Sequence, residues 1–274
     1  MKRVFAFDLD GTLLTNDNKA HPKTLKALEL SKNNNHINVI ATGRGLKNVL
    51  PLFENHNLDH IDYLICSNGA LIYDMKSQKY EIINNLDPNV FPIIFKKHLK
   101  YKSILRVDFI DQNHTILPDN KIPDWLAKSH VKDNNLINSV DETFMNNLVF
   151  DTNSKITQIA LRNEVNIASL ATDELKKELN DYDCEVYLTN SVYTDINGKN
   201  VSKFNALNKL VNELKLETRN IVAFGDSGND VEMLKNSGIG VAMGNATIDA
   251  KEVAHIIIGD HNTGTIGEFI EKLI

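Results

Sequence analysis

A chain of 274 residues with 42% hydrophobic and 24% charged side chains has the length and balance of a globular protein with a sizeable core, and most naturally divides into two domains. A formal net charge of -6 gives no general attraction for nucleic acid or an anionic membrane surface, so any phosphate ligand must be held by local cations. The apolar run after Lys2 and Arg3 is too short for a signal peptide, and no run approaches the roughly 20 apolar residues of a membrane span. The expectation is a soluble cytoplasmic protein with no nucleic-acid or membrane partner.

Val4 to Phe7 is a short apolar run of β-formers that stops abruptly at Asp8-Leu9-Asp10-Gly11-Thr12. Such a run predicts a strand buried on both faces. Asp8 and Asp10, two positions apart, then project to one side beyond its carboxyl end, where Gly11 permits a sharp turn. In open α/β sheets that crevice is where ligands bind. The plain alternative for an Asp pair before Gly is a turn or helix cap.

Pro22 to Ser31 carries Leu25, Ala27 and Leu28 at helical spacing and predicts a helix, with Pro at a first-turn position. Ile37 to Ile40 predicts a second buried strand, followed at once by Ala41-Thr42-Gly43-Arg44. Leu46, Val49, Leu50 and Phe53 predict one amphipathic helix, and Tyr63 to Cys66 a third strand ending in Ser67-Asn68-Gly69. Strand, polar or glycine-bearing tip and helix alternate, which indicates a parallel sheet with crossover helices.

Near residue 83 the texture changes. Asn84 to Pro88 is a polar break, after which Val90 to Leu99 predicts a helix and Arg106 to Ile110 a strand. Asp111 to Asn147, rich in Asn and Asp, reads mostly as loops with short elements, among which Trp125 fits a core role or a ligand contact. Lys155 to Leu161, Val165 to Leu179 and Cys184 to Leu188 predict strand, helix and strand. The parallel pattern resumes after about residue 194 with an apolar helix face (Val201, Phe204, Leu207, Leu210, Val211, Leu214). Ile221 to Phe224 then predicts a strand ending in Gly225-Asp226-Ser227-Gly228-Asn229-Asp230, followed by a short helix at Val231 to Leu234. Ile239 to Met243 and Ile256 to Ile258 add strands, and Thr265 with Glu268 forms a capping box for the last helix. The predicted fold is α/β: a Rossmann-like parallel-sheet core from residues 1–83 and 194–274, with an inserted α+β cap domain at 84–193.

Cys66 and Cys184 each lie in an apolar run and are expected as core thiols, and the nine histidines show no zinc-ligand spacing. The reactive types cluster at strand tips: Asp8 and Asp10, Thr42, then Asp226 with Asn229 and Asp230, together with Lys203 opening a helix. Two like charges about 4 Å apart repel by roughly 4 kcal/mol at an effective dielectric of 20, so Asp8, Asp10 and Asp226 require a divalent cation if the tips converge. Oxygen ligands without His or Cys point to Mg²⁺, with Lys203 and the Thr42 hydroxyl left to hold a phosphate.

Asp-Leu-Asp-Gly-Thr at 8–12, the strand-tip Thr42, Lys203 and Gly-Asp-Ser-Gly-Asn-Asp at 225–230 stand in the order of the four motifs of the haloacid-dehalogenase-like phosphohydrolase superfamily, which the whole chain resembles. The insertion is similar to the cap of its Cof-like subclass, IIB. The resemblance implies a Mg²⁺-dependent phosphoric monoester hydrolase acting on a small phosphorylated metabolite, a sugar phosphate or a phosphorylated cofactor. It implies Asp8 as nucleophile and Asp10 as the acid that protonates the leaving oxygen and then activates water. It implies a metal held by Asp8, the Asp10 carbonyl and Asp226, with Asp230 in support. Phosphate oxygens meet the Leu9 N–H, Thr42 with Gly43, Lys203 and Asn229. Phe204 follows Lys203 where the family often has Gly, and Lys199, one helical turn earlier, is a rival for the lysine role. Asn262-Thr263-Gly264 replaces an acidic residue before Gly. Arg44 and Asn68 sit at tips where they either touch substrate or hold their loops. A phosphosugar mutase and a non-catalytic phospho-acceptor are the competing functions, with a dehalogenase a poorer third.

Overall fold

The computed structural model describes residues 1–54, 58–127 and 139–274. The chain divides into two compact units, Met1–Ile83 with Ser202–Ile274, and Asn84–Val201. The return to the first unit thus falls later than residue 194, because Tyr193–Gly198 is a strand of the inserted sheet and not a lead-in to the next helix.

In chain order the strands are β1 (Val4–Phe7), β2 (Ile37–Ala41), β3 (Tyr63–Cys66), β4 (Leu71–Asp74) and β5 (Lys79–Ile82), then β6 (Ile104–Phe109), β7 (Asn113–Ile116), β8 (Ile156–Arg162), β9 (Cys184–Thr189) and β10 (Tyr193–Gly198) of the insertion. They close with β11 (Ile221–Gly225), β12 (Ile239–Ala242) and β13 (Ile256–Ile257). The first unit holds an eight-stranded sheet in the order β13-β12-β11-β1-β2-β3-β4-β5. It is parallel from β13 to β3, and β4 and β5 fold back antiparallel at one edge. β1 is fully buried, as its unbroken apolar run requires, and lies between β2 and β11, so the chain leaves it in opposite directions and opens a crevice at its carboxyl end. Phe7 of β1 stacks on Phe224 of β11 at 5.0 Å between ring centres, which ties together the two strands whose tips carry Asp8 and Asp226.

Helix Pro22–Asn33 forms as expected, with Pro at its first turn and the His21 side chain accepting the Lys23 N–H. The single helix expected over Leu46 to Phe53 is instead two short ones, Leu46–Val49 and Pro51–Glu54, because Pro51 has no N–H to continue the ladder. The expected capping box at Thr265 is absent. Gly264 is the N-cap of helix Thr265–Leu273, the Thr265 hydroxyl accepts the Gly259 N–H, and Glu268 pairs with Lys23.

The insertion is an antiparallel five-stranded sheet in the order β7-β6-β8-β10-β9. Leu105, Val107 and Phe109 alternate along β6 opposite Leu161, Ile159 and Ile156 of β8, and this face shares one core with Ile94 and Leu175 from helices Phe91–Tyr101 and Val165–Glu178. Within the stretch expected as loops, Asn113–Ile116 and Glu142–Val149 are a strand and a helix, while 128–138 lies outside the described residues. Trp125 is half-buried in the short helix Asp124–Ala127. Neither cysteine is in a disulfide, Cys66 being buried and Cys184 partly exposed. Among the described residues no helix is long and apolar enough to cross a membrane.

One consequence for the insertion is electrostatic. His98 is buried and its Nδ1 lies 2.6 Å from the Ser103 carbonyl oxygen; burial holds its pKa below the ordinary 6.5, against the smaller opposing effects of that carbonyl and Asp119. A group whose folded pKa is depressed contributes stability above its unfolded pKa and loses it as pH falls. The melting temperature of the wild type should therefore drop more between pH 7.5 and 5.5 than that of His98→Gln, measured by calorimetry on the full chain. Equal drops would show that His98 is not a source of acid sensitivity.

Candidate active site

Beyond β1 the backbone turns immediately. The Asp8 N–H still bonds the Phe224 carbonyl at 3.0 Å, after which the Thr12 and Leu14 N–H groups return to the Leu9 carbonyl and the Leu13 N–H to the Asp8 carbonyl. Gly11 sits at φ +83°, and a Cβ there would lie 2.5 Å from Asp226 Oδ2. Glycine is thus required twice, for the turn and for the approach of the β11 tip. The Leu9 N–H donates to no carbonyl among the described residues.

Lys203 holds the tips together. Ser202 caps helix Lys203–Glu213 by accepting the Asn205 N–H at 3.0 Å, which places Lys203 at the first helical position. A cation there opposes the helix dipole, and two carboxylates compensate it: Lys203 Nζ donates to Asp8 Oδ1 at 2.6 Å and to Asp230 Oδ1 at 2.7 Å, all three side chains being buried. Burial works against the ammonium, but Asp230 and Asp8 outweigh it and hold its pKa above the ordinary value. Asp230 Oδ2 accepts the N–H groups of Asp226 and Ser227 at 2.9 and 3.0 Å, so both of its oxygens are engaged. Burial pushes the Asp8 carboxyl up, with Lys203 opposing and its acidic neighbours adding. Burial likewise, with the charge of Asp230, pushes Asp226 up to about 7, although Thr12 Oγ1 donates to its Oδ1 at 3.1 Å.

Asp8, Asp226 and Asp230 each offer an oxygen within 4.8 Å of the others, a donor set suited to a hard divalent cation. Asp230 already accepts three hydrogen bonds, whereas no donor reaches Asp8 Oδ2 or Asp226 Oδ2 among the described residues. Two buried acid oxygens with elevated pKa and no donor fit a cation better than they fit a closed hydrogen-bond network.

Asp10 is not in this cluster. Its carboxylate faces Arg44, which donates from Nε at 2.8 Å and from Nη2 at 2.5 Å in a fork. Thr42 is buried at the β2 tip, its hydroxyl accepting the Arg44 N–H at 3.1 Å, with Gly43 in the turn between them. The Asn229 carboxamide accepts from Ser227 Oγ and donates to Asn68 Oδ1, both at 2.8 Å. Lys199, the rival to Lys203, pairs instead with Asp183 on the exposed surface of the insertion.

A sequence profile of haloacid dehalogenase-like hydrolases matches residues 5–270. The chain belongs to this family. It is 30% identical to the pyridoxal phosphate phosphatase of Escherichia coli strain K12 over 98% of this chain and 97% of that one. It is 29% identical to the 5-amino-6-(5-phospho-D-ribitylamino)uracil phosphatase of Bacillus subtilis strain 168, over 93% of this chain and 89% of that one. Its fold matches a solved subclass IIB sugar phosphatase with a TM-score of 0.81 at 21% identity, covering 99% of each chain. The chain is a phosphoric monoester hydrolase.

Three contacts escaped the sequence: the fork from Arg44 to Asp10, the Asn68–Asn229 bond, and Asn245 Nδ2 donating to the Gly11 carbonyl at 2.8 Å. Asn245 follows β12 in Met243-Gly244-Asn245, a strand end with a turn signal that could have marked it. Asp230→Asn should lower the unfolding free energy by about 3 kcal/mol, since a carboxamide accepts on one side only and leaves either the Lys203 ammonium or the buried Asp226 and Ser227 N–H groups facing a donor. A urea titration showing less than about 0.5 kcal/mol would contradict this charge arrangement, the expected size of an ordinary surface substitution.

Proposed function

We propose that this protein hydrolyses a small phosphorylated metabolite, a sugar phosphate or phosphorylated cofactor, through an aspartyl phosphate formed on Asp8, with Mg²⁺ as its cation. The observation that carries this reading is the Asp8 carboxylate at the β1 tip. Lys203 holds one of its oxygens, and among the described residues the other has no donor and the Leu9 N–H, next in the chain, has no acceptor. A carboxylate oriented by one oxygen and open at the other is arranged for nucleophilic attack.

In the first step Asp8 Oδ2 forms a bond to phosphorus as the ester P–O bond breaks, and Asp10 gives its proton to the leaving oxygen. In the second, water attacks phosphorus, Asp10 takes the water proton, and the Asp8 acyl phosphate bond breaks to release inorganic phosphate. Arg44 forks onto both Asp10 oxygens, so proton transfer through Asp10 requires the guanidinium to release at least one of them. The Leu9 N–H, Thr42 with Gly43, Lys203 and Asn229 bind phosphate oxygens, and Lys203 exchanges part of its carboxylate contact for them. Asp8 and Asp226, with the Asp10 carbonyl, would hold the cation, and Asp230 fixes the loop that presents Asp226. When bound, the cation supplies positive charge that offsets repulsion between carboxylate and phosphate.

The inserted unit, Asn84–Val201, is assigned the selection of the leaving group. Relatives that span this chain almost end to end are named for different phosphate esters, which supports placing selectivity outside the shared motifs. Arg106 and Asp108, ion-paired at 3.1 Å, stand on the face of β6 opposite the apolar core of that unit.

Asp8→Asn should still fold, at a cost in stability from the lost Lys203 pairing, and lose at least about a thousandfold in kcat/KM on p-nitrophenyl phosphate, because an amide is a poor nucleophile. Activity within tenfold of wild type would sink the assignment. Excess EDTA should abolish turnover and Mg²⁺ restore it; undiminished rates in chelator would remove the metal.

A further inference from the structure

Ser67, Asn68 and Gly69 follow β3 with φ of 49°, 56° and 108°, three consecutive residues in the left-handed region. Outside glycine this conformation is strained, and a run of it persists only where surrounding contacts over-determine it. The turn is buried, and its contacts reach three segments distant in sequence. The Ser67 and Asn68 N–H groups donate to the Arg44 and Thr42 carbonyls, both at 2.9 Å, which fixes the β2 tip. A Cβ at Gly69 would lie 2.2 Å from the Ser202 carbonyl, so glycine here lets the turn pack on the residue before Lys203. The Asn68 side chain reaches Asn229 beyond β11.

That last contact spans the site. In the order β11-β1-β2-β3, three spacings of ~4.8 Å separate the outer strands, so their tips are roughly 14 Å apart, yet Asn68 and Asn229 meet. Their bond arches over the ends of β1 and β2, where Asp8 and Thr42 lie. It also sets the Asn229 carboxamide. Oδ1 is taken by Ser227 and one Nδ2 hydrogen by Asn68, so rotation is blocked and the second Nδ2 hydrogen points in a single direction. Among non-glycine residues, Asn is one of the few that tolerates the left-handed backbone while presenting an acceptor.

We propose that Asn68 is a positioning residue for phosphate recognition: the strained turn holds the Thr42 loop and the Lys203 helix start, and its side chain orients Asn229 toward a phosphate oxygen. This rests on the phosphatase reading above. Asn68→Gly keeps the backbone conformation and removes the carboxamide, the acceptor for Asn229 included. It should raise KM for p-nitrophenyl phosphate and the inhibition constant of inorganic phosphate about tenfold, with kcat within about twofold, as expected where ground state and transition state lose the same contact. In an Asn229→Ala background the same change should alter either constant less than about twofold, since the two residues act as one unit.

A second measurement is independent of turnover. The Asn229 Nδ2 resonances, identified by their loss in Asn229→Ala, should exchange with solvent about tenfold faster in Asn68→Gly than in wild type. Should Asn68→Gly not fold, Asn68→Asp, which retains left-handed tolerance and an acceptor oxygen, should retain the protection. Additive losses in the double variant, unchanged exchange in Asn68→Gly, or lost protection in Asn68→Asp would overturn the positioning role while leaving the phosphatase intact. If the wild type turns over no phosphate ester, the phosphatase reading fails and this inference with it.

Discussion

A lysine ammonium buried between two carboxylates is the constraint on which the rest of the site depends. The Lys203 side chain has no exposed surface, sits at the unfavourable end of its helix, and is neutralised by Asp8 and Asp230. Those two acids come from opposite ends of the chain, so the charge can be satisfied only when the β1 and β11 tips stand side by side. The need to balance one buried cation thereby brings the nucleophile candidate, the loop of Asp226 and the helix start into one place. Two acids per lysine would leave the balance negative, and Asp226 makes it more so, which is why a divalent cation suits the cluster electrostatically.

Much of this was legible in the residues. Buried parallel strands are continuous apolar runs, so β1, β2, β3 and β11 could be read directly, and reactive side chains at their ends mark themselves by contrast. The edge hairpin of β4 and β5 did not stand out, because Lys79–Ile82 is largely exposed and polar and is held by pairing with its neighbour. Tyr193–Gly198 misled in another way: its Thr, Asp and Asn are buried and paired inside the insertion, a tertiary environment that outweighs their usual preference for turns. The same split holds in the site. Asp8, Thr42, Lys203 and Asp226 announced themselves by type and place, whereas the partners of Asp10 and Asn229 are set by closure of the sheet, which no local pattern encodes.

The two units divide the physical problem. In the parallel sheet, the crevice beyond β1 is imposed by topology and hosts the charged groups. In the insertion, an antiparallel sheet covered on one face by helices forms an independent core and leaves its other side to polar residues such as Arg106 and Asp108. A family that keeps the first and varies the second can retain one phosphoryl chemistry while changing the group it removes.

The central claim is that the oxygen of Asp8 left open by Lys203 takes the phosphoryl group. Quenching the enzyme during turnover, reducing with borohydride and sequencing the N-terminal peptide by mass spectrometry tests it directly, since an aspartyl phosphate is reduced to homoserine. The account predicts homoserine at position 8 alone, dependent on substrate. Homoserine at position 10, or none at either position in an enzyme caught turning over, would contradict it.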